Sequence, residues 1–318
     1  MATESVLKFR RSPARVIERS SERFGIVLAK LYRGIDRRGL LSDFIADPRT
    51  SLLGVVPKWL IRACFCRQDG PSVSVIVATR NNAATIHGAL QSLLDQTHAN
   101  LEIIVIDDAS DDNSLDIVRS IVRRDHRVKL VSNKNQLGTG RSRNLGLKMA
   151  TGDYVTFQDG DDFSLPTRIA SQLTVFSKFS GKTLSLCNYV RVDPNGNSLE
   201  INDRRVMKCI ISMMFPRTEV LERVGFFVDG TVSEDADYYE RIKIAFGSSC
   251  EVLTFRTLYQ ALFRPNSSFF GQMAIKTIDK GRVTYDAPPT VSGAHENIKR
   301  RHEMMREGKI SCRVEFPD

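Results

Sequence analysis

The sequence lacks the features that would place the protein across a membrane or outside the cell. No apolar run approaches the roughly 18 residues that a membrane-spanning helix needs. The basic amino terminus is not followed by the apolar stretch of a signal peptide. The six cysteines are scattered over 318 residues, without the spacing of a disulfide framework or a metal site. We therefore expect a cytoplasmic protein whose cysteines are reduced.

The sequence also lacks the glycine-rich loops that bind phosphates in two large enzyme classes. The motif GxxxxGK[ST] is absent, and GxGxxG does not follow the first predicted strand. Gly138 and Gly140 stand after the third predicted strand instead. Phosphate-loop NTPases and dinucleotide-dependent dehydrogenases are therefore disfavoured.

The net charge of +9 belongs mostly to the amino-terminal flank. Residues 1–70 carry 14 Lys and Arg against 7 Asp and Glu, residues 271–318 carry 9 against 7, and the residues between them are neutral overall. A nucleic-acid-binding domain would concentrate positive charge on its recognition fold. We therefore expect no nucleic-acid partner, and a basic flank that faces an anionic surface.

Residues 14–38 predict a basic amphipathic helix, because apolar residues recur at helical spacing and arginines fill the remaining surface. Two interpretations stay open. The helix packs on the catalytic domain or a second subunit, or it lies peripherally on anionic lipid at the inner face of the membrane. A boundary signal at 69–71 makes residues 1–70 a predicted helical extension.

From residue 71 the pattern predicts an α/β domain. Short β-rich runs alternate four times with amphipathic helices, joined by connections of a few residues. Such alternation requires a mostly parallel sheet with helices on both faces. Further strands follow, as does a helix over 236–246 that Ser233 is predicted to cap. We place the domain at residues 71–270 and leave 271–318 as an unassigned, partly helical tail.

Acidic side chains stand at the predicted carboxyl ends of the strands. The second strand ends at Asp107 and Asp108, and the fourth runs into Asp159, Asp161 and Asp162. Ligands of open α/β sheets bind at this edge, where the five carboxylates repel one another unless a cation joins them. Hard oxygen ligands suit Mg²⁺ or Mn²⁺, which complete their shell with water and phosphate oxygens. For the last three residues alone, a solvated acidic turn is the alternative.

Several short motifs in this region resemble those of the family 2 glycosyltransferases. They are VSVIVATRN at 73–81, IDDASDD at 106–112, GRSRNLG at 140–146, ATGDY at 150–154, DGDD at 159–162 and SED at 233–235. The resemblance covers about residues 72–270, and the motifs follow the family's order and spacing. It implies an inverting enzyme of the GT-A type, with a Rossmann-like sheet and a nucleotide-sugar donor, most simply a UDP-sugar.

The resemblance implies which residues face the donor. Those that it places there are Thr79, Arg80, Asn81, Asp108, Arg143 and Asn144. The first three are expected to border the nucleotide, and Asp108 is expected to meet the uracil or its ribose. The chain departs from the family's pattern at Ala78, where proline is common.

The resemblance also implies a metal site and a catalytic base. Asp159 and Asp161 match the element that binds ribose and metal, with Asp162 beside them. Asp235 matches the base. Arg264 stands nearest to the position where many relatives carry a histidine that helps to hold metal or diphosphate, and Arg264 could neutralise the diphosphate directly.

A mechanism follows from these roles. An acceptor hydroxyl attacks while Asp235 takes its proton, and the cation stabilises the diphosphate that leaves. A single base without a second carboxylate nucleophile predicts inversion at the anomeric carbon. The expected acceptor is a glycan or a lipid-linked glycan, in cell-surface polysaccharide synthesis. A nucleotidyltransferase and a non-catalytic scaffold of the same fold stay open as alternatives.

Overall fold

The computed structural model describes residues 70–230 and 233–317. The basic helix predicted at residues 14–38, and nearly all of the extension predicted at 1–70, lie outside the described residues. Within the described ranges, no helix combines the length and the apolar character that crossing a bilayer requires.

Strands and helices alternate in the first half of the described chain. They are β1 (Val73–Thr79), α1 (Ile86–Leu94), β2 (Leu101–Asp107), α2 (Ser114–Val122), β3 (Val128–Ser132), α3 (Thr139–Met149) and β4 (Tyr154–Asp159). β1 pairs in parallel with β2 and with β4, and β2 pairs in parallel with β3. The carboxyl ends of these four strands therefore lie at one edge of the sheet.

The second half adds strands beyond β4. Its elements are β5 (Phe163–Ser164), α4 (Arg168–Lys178), β6 (Leu184–Val192), β7 (Ser198–Ile201), β8 (Met207–Pro216), α5 (Arg217–Arg223), α6 (Glu234–Phe246), β9 (Glu251–Leu262), β10 (Ala274–Asp279), β11 (Arg282–Asp286) and α7 (Pro289–Arg306). β8 pairs antiparallel with β4 and β6. The strand order is β10-β11-β7-β6-β8-β4-β1-β2-β3, and β9 pairs with β5 and β6. The predicted α/β fold, with helices on both faces of a large central sheet, is confirmed.

Two apolar layers enclose the sheet, because alternate residues of a strand point to opposite faces. In β1, Ile76 packs into the layer that includes α3 and α6, whereas Val75 and Val77 pack into the layer that includes α1, α2 and α4. In β2, Ile104 packs into the layer of α3 and α6, and Ile103 packs into the layer of α1, α2 and α4. Burial on both faces explains why these strands read as continuous apolar runs.

The strand β9 differs from its sequence prediction. The pattern predicts two strand-like segments, at 250–255 and 258–263, where the structure has the single strand β9. Its pairing with β6 is irregular, and Phe255 within it has a positive φ of 54°. This local irregularity accounts for the gap in the pattern.

Residues beyond 270, which the sequence left as an unassigned tail, are part of this fold. β10 and β11 form an antiparallel hairpin, β11 pairs with β7, and α7 packs along α6. β10 is almost wholly exposed, so its sequence shows no apolar alternation. The helix α7 buries few residues, among them His302 and Met305, which makes its amphipathic pattern weak.

Gly146 of α3 packs directly against β1. A Cβ atom at this position would lie 2.4 Å from Cγ2 of Ile76, within the buried layer between helix and sheet. We expect Gly146→Ala to lower the free energy of unfolding by about 1–3 kcal/mol, because the helix or the strand must shift to make room. Denaturant unfolding followed by circular dichroism measures the change.

Gly88→Ala in α1 is the matched control, since a Cβ atom there meets no atom within 4 Å. Alanine is favoured over glycine in a helix by about 0.5–1 kcal/mol, so this variant should be as stable as the unchanged protein or more stable. Equal stability of the two variants would contradict the close packing of α3 on β1.

Candidate active site

The aspartates predicted at the strand ends form two separate groups. β1, β2 and β4 end side by side at one edge of the sheet. Asp107 and Asp108 accept hydrogen bonds from the loops that surround this edge, which we call the rim of the site. Asp159, Asp161 and Asp162 lie together instead, and one carboxylate oxygen from each lies within 4.8 Å of the others. The second group is the candidate metal site.

Asp108 holds the loop between β3 and α3. Its Oδ1 accepts hydrogen bonds from Nδ2 of Asn133 and from the backbone N–H of Leu137, each at 2.8 Å. Its Oδ2 accepts one from the N–H of Gly138, also at 2.8 Å. Asp108 therefore shapes the rim, and its contact with uracil or ribose stays a prediction.

The loop after β1 is tied to the loop after β2. Asn81 has a left-handed backbone, with φ of 53°, and its Oδ1 accepts a hydrogen bond from the N–H of Asp111 at 3.0 Å. The N–H of Asn81 donates to the hydroxyl of Ser110, also at 3.0 Å. Thr79 is buried and Arg80 is exposed. The nucleotide contacts predicted for Thr79, Arg80 and Asn81 stay predictions, but all three residues lie at the expected edge.

The acidic turn after β4 passes close to the end of β1. A Cβ atom on Gly160 would lie 2.5 Å from the hydroxyl of Thr79, so the turn needs glycine here. Asp159, Asp161 and Asp162 offer hard carboxylate oxygens at one place, which is the kind of ligand that Mg²⁺ and Mn²⁺ prefer. The residues present therefore fit a divalent cation.

The negative charge of this turn is only partly balanced. Burial raises the pKa of Asp161, its ion pair with Arg264 opposes the rise, and the charge of Asp159 adds to it. Burial and the charges of Asp161 and Asp159 raise the pKa of Asp162 well above its usual value. A cation bound to the turn would relieve this repulsion.

Residues of β9 and β6 that sequence reasoning missed support the turn. The hydroxyl of Tyr259 donates to Oδ2 of Asp162 at 2.8 Å, and the N–H of Leu262 donates to Oδ1 at 2.9 Å. Arg191 lies over the ring of Phe270, 5.0 Å from its centroid, and its charge opposes the rise in the Asp162 pKa. Tyr259 and Arg191 belong to no recognisable motif, and only the assembled sheet brings them to the turn.

Arg143 connects the acidic turn to the first turn of α6. Its Nη2 donates to Oδ1 of Asp159 at 2.9 Å, and its Nη1 donates to Oε1 of Glu234 at 3.3 Å. The guanidinium is almost fully buried and lies 5.7 Å from the centroid of the Phe227 ring. Burial lowers the pKa of Arg143, but the charges of Asp159 and Glu234 outweigh burial, so that the pKa is raised. Two acidic elements distant in the sequence thus share one buried cation.

Asp235, the predicted base, lies in the first turn of α6 beside Glu234. Burial raises the pKa of Glu234, Arg143 opposes the rise, and the charge of Asp235 adds to it. The charges of Asp159, Glu234 and Asp235 all raise the pKa of Arg143. The predicted base therefore stands beside Glu234, which shares the Arg143 guanidinium with Asp159, one of the predicted metal ligands.

The start of α6 differs in one respect from its prediction. Ser233 stands at the N-cap position, but its side chain makes no capping hydrogen bond. Its hydroxyl is instead hydrogen-bonded to Nε2 of His295, at 2.7 Å. The sequence could not reveal this partner, because His295 lies 62 residues away, in the part of the chain that resembles no known motif.

Comparison with known proteins decides the family. The family model described as glycosyl transferase family 2 matches residues 74–243, which is more than half of the chain. The chain belongs to glycosyl transferase family 2. The resemblance noted in the sequence is thereby confirmed.

Curated relatives of this family 2 chain carry names of sugar-transferring enzymes. WfaP of Escherichia coli, named a UDP-Glc:alpha-D-GlcNAc-diphosphoundecaprenol beta-1,3-glucosyltransferase, is 40% identical over 160 residues, which cover 48% of this chain and 61% of WfaP. EpsE of Bacillus subtilis, named as a glycosyltransferase, is 31% identical over 176 residues, which cover 55% of this chain and 60% of EpsE. The family 2 chain thus spans about three fifths of the length of these relatives.

Solved structures show the same fold. Residues 1–349 of S. aureus TarS, in complex with UDP-GlcNAc, match with a TM-score of 0.51 and 23% identity, over 61% of this chain and 59% of TarS 1–349. Another structure of S. aureus TarS matches with the same TM-score at 22% identity, over 63% of this chain and 38% of the TarS chain. The predicted GT-A type of fold is confirmed for this family 2 chain.

We expect Arg143→Met to destabilise the family 2 domain strongly. The substitution leaves Asp159 and Glu234 without their shared buried counter-ion, and losing one partner of a buried ion pair costs about 3 kcal/mol or more. Urea unfolding at neutral pH measures the loss in free energy of unfolding.

Arg141→Met, two residues earlier on α3, is the matched control. Arg141 pairs with Asp229 on the surface, where water screens both charges, so its loss should leave the unfolding transition almost unchanged. An Arg143→Met protein that unfolds at the same urea concentration as Arg141→Met would contradict a bridging role for Arg143.

Proposed function

We propose that this chain transfers a sugar from a nucleotide-sugar, most simply a UDP-sugar, to a hydroxyl group of a lipid-linked or other glycan. The observation that carries the proposal is that Arg143 pairs with both Asp159 of the acidic turn and Glu234 of α6, the residue beside Asp235. Family membership supports sugar transfer, and the UDP-GlcNAc bound to TarS supports a UDP-sugar donor. The name of WfaP supports an acceptor linked to a lipid through a diphosphate.

The acidic turn is the expected site for the diphosphate of the donor. Asp159 and Asp161, with Asp162 beside them, would hold Mg²⁺ or Mn²⁺, which neutralises charge on a leaving diphosphate. Arg264 brings a second positive charge, because it is paired with Asp161. The Arg264 side chain is 40% exposed, so its guanidinium is accessible to a diphosphate oxygen and can favour the departure of UDP.

The nucleoside is expected along the edge formed by the loops after β1 and β2. Thr79, Arg80 and Asn81 border this edge, and Asp108 lies beside it. The Asp108 carboxylate accepts three hydrogen bonds from the neighbouring loop. A carboxylate offers about four acceptor positions, so one remains for an N–H of uracil or a hydroxyl of ribose.

Asp235 is the proposed base. It lies in the first turn of α6, directly after Glu234. The acceptor oxygen bonds to the anomeric carbon of the sugar as its proton passes to Asp235, and the bond from that carbon to the diphosphate oxygen breaks. A single displacement inverts the configuration of the anomeric carbon.

A lipid-linked acceptor would place the enzyme at a membrane surface. Residues 1–70 carry 14 Lys and Arg against 7 Asp and Glu, and residues 14–38 carry the predicted amphipathic helix. Both features favour contact with anionic lipid. The proposal therefore includes peripheral attachment at the inner face of the membrane and a role in surface polysaccharide synthesis.

Two substitutions separate the base from the metal site. We expect Asp235→Asn to lower sugar transfer by about 10²–10⁴-fold while UDP still binds, because the amide cannot accept the proton. We expect Asp161→Asn to weaken UDP binding in Mn²⁺, because a ligand of the cation is lost. UDP release from UDP-glucose, with Mn²⁺ and a short-chain GlcNAc-diphospho-lipid, measures transfer, and calorimetry with UDP measures binding.

Glu240→Gln in the same helix is the matched control, since Glu240 pairs with Lys243 and Arg306 away from the acidic turn. It should leave both measurements unchanged. If a screen of UDP- and GDP-sugars gives no nucleotide release, the chain is a scaffold, and if pyrophosphate appears instead, it is a nucleotidyltransferase. Full transfer by Asp235→Asn would refute the assigned base.

A further inference from the structure

The segment that leads from α5 to the predicted base is fixed at its beginning by the carboxyl-terminal residues of the described chain. The N–H of Phe226 donates to the carbonyl of Val314 at 2.9 Å, and the N–H of Val314 donates to the carbonyl of Val224 at 3.0 Å. Gly225 lies between them with φ of 71°, and a Cβ atom there would lie 2.0 Å from the carbonyl oxygen of Val314. This end of the segment is therefore a close backbone pairing that requires glycine.

The other end of the segment is held by α7. Ser233 has a left-handed backbone, with φ of 55° and ψ of 36°. A serine adopts this strained conformation only when its surroundings hold it there. Its hydroxyl makes no bond to the helix that it precedes and instead pairs with Nε2 of His295, at 2.7 Å. Asp235 follows two residues later.

The helix α7 is itself anchored to α6 on the far side of Asp235. Nε2 of His302 lies 3.0 Å from Oδ1 of Asp237, and Oδ2 of Asp237 accepts a hydrogen bond from Nε of Arg241 at 2.8 Å. Asp237 and Arg241 are fully buried. His295 and His302 are two helical turns apart, so one face of α7 contacts α6 at residues on both sides of Asp235.

From this geometry we infer that His295 is a positioning residue for the base, acting through Ser233. The hydrogen bond of His295 holds Ser233 in its strained conformation. That conformation in turn sets the direction in which the side chain of Asp235 projects from the first turn of α6. The inference rests on the proposed function, in which Asp235 takes the proton of the acceptor. It extends the active site into α7, which lies beyond the residues 74–243 that match the family model.

Four variants and one control test the inference. His295→Leu removes the hydrogen bond, His295→Gln keeps a side chain that can donate or accept at a similar distance, Ser233→Ala removes the other partner, and the fourth variant combines His295→Leu with Ser233→Ala. Glu296→Ala is the control, because Glu296 is exposed on the same turn of α7. The readouts are kcat and KM for UDP release from UDP-glucose with Mn²⁺ and the short-chain GlcNAc-diphospho-lipid, together with the affinity for UDP.

We expect His295→Leu to lower kcat about 10-fold or more, because misplacing a reacting group by an ångström is costly. The affinity for UDP should stay unchanged, since Ser233 adjoins the proposed base and not the acidic turn where the diphosphate is expected. His295→Gln should recover most of kcat. Ser233→Ala should cause a similar loss, and the combined variant should be no slower than either single variant. A His295→Leu protein as fast as Glu296→Ala, or losses that multiply in the combined variant, would overturn the inference.

A second readout needs no substrate and so separates this inference from the proposed function. Amide hydrogen exchange, followed by mass spectrometry, reports the order of residues 233–237 in the full chain. We expect faster exchange there in His295→Leu than in Glu296→Ala and in the unchanged protein. Unchanged protection would refute the positioning role even if sugar transfer is observed. If the unchanged protein transfers no sugar at all, the proposed function fails, and the exchange data still decide whether His295 orders this turn.

Discussion

The candidate site depends on the ion pairs that the buried guanidinium of Arg143 makes with two acidic side chains. Three carboxylates crowd the turn after β4, and three acids stand in the first turn of α6. Two such elements would repel each other at close range. Arg143 pairs with Asp159 of one and Glu234 of the other, under the ring of Phe227. Because a buried charge is stable only with its partners in place, this contact fixes the distance between the two acidic elements.

The acidic turn could be predicted from the sequence because the residues that define it are neighbours in the chain. Asp159, Asp161 and Asp162 stand within four consecutive residues, directly after an apolar run that reads as a strand. The support for the turn could not be predicted in this way. The partner of Asp162, Tyr259, is 97 residues away and reaches it only after β9 has paired with β5 and β6. No spacing rule within the sequence connects the two.

The residues beyond 270 could not be assigned from the sequence for the same physical reason. α7 is mostly exposed and buries little apolar surface, so its periodicity is weak. Its attachment comes instead from polar contacts, such as those of His295 with Ser233 and His302 with Asp237. Polar partners leave no periodic trace in a single sequence. The alternation of strands and helices ends before α7, whereas the contacts of His295 and His302 connect α7 to Ser233 and to α6.

The negative charge of the acidic turn is only partly balanced by the basic side chain that pairs with it. Arg264 is paired with Asp161, yet burial and mutual repulsion still raise the pKa values of Asp161 and Asp162. The turn can therefore accept further positive charge from a cation, and Arg264 can then leave Asp161 and bind a diphosphate.

A crystal structure with Mn²⁺ and UDP, measured with anomalous scattering, tests this arrangement most directly. The predicted result is a manganese peak bound by Asp161, with Arg264 on the diphosphate. UDP bound elsewhere, with the Arg264–Asp161 pair intact and no manganese at the turn, would contradict it.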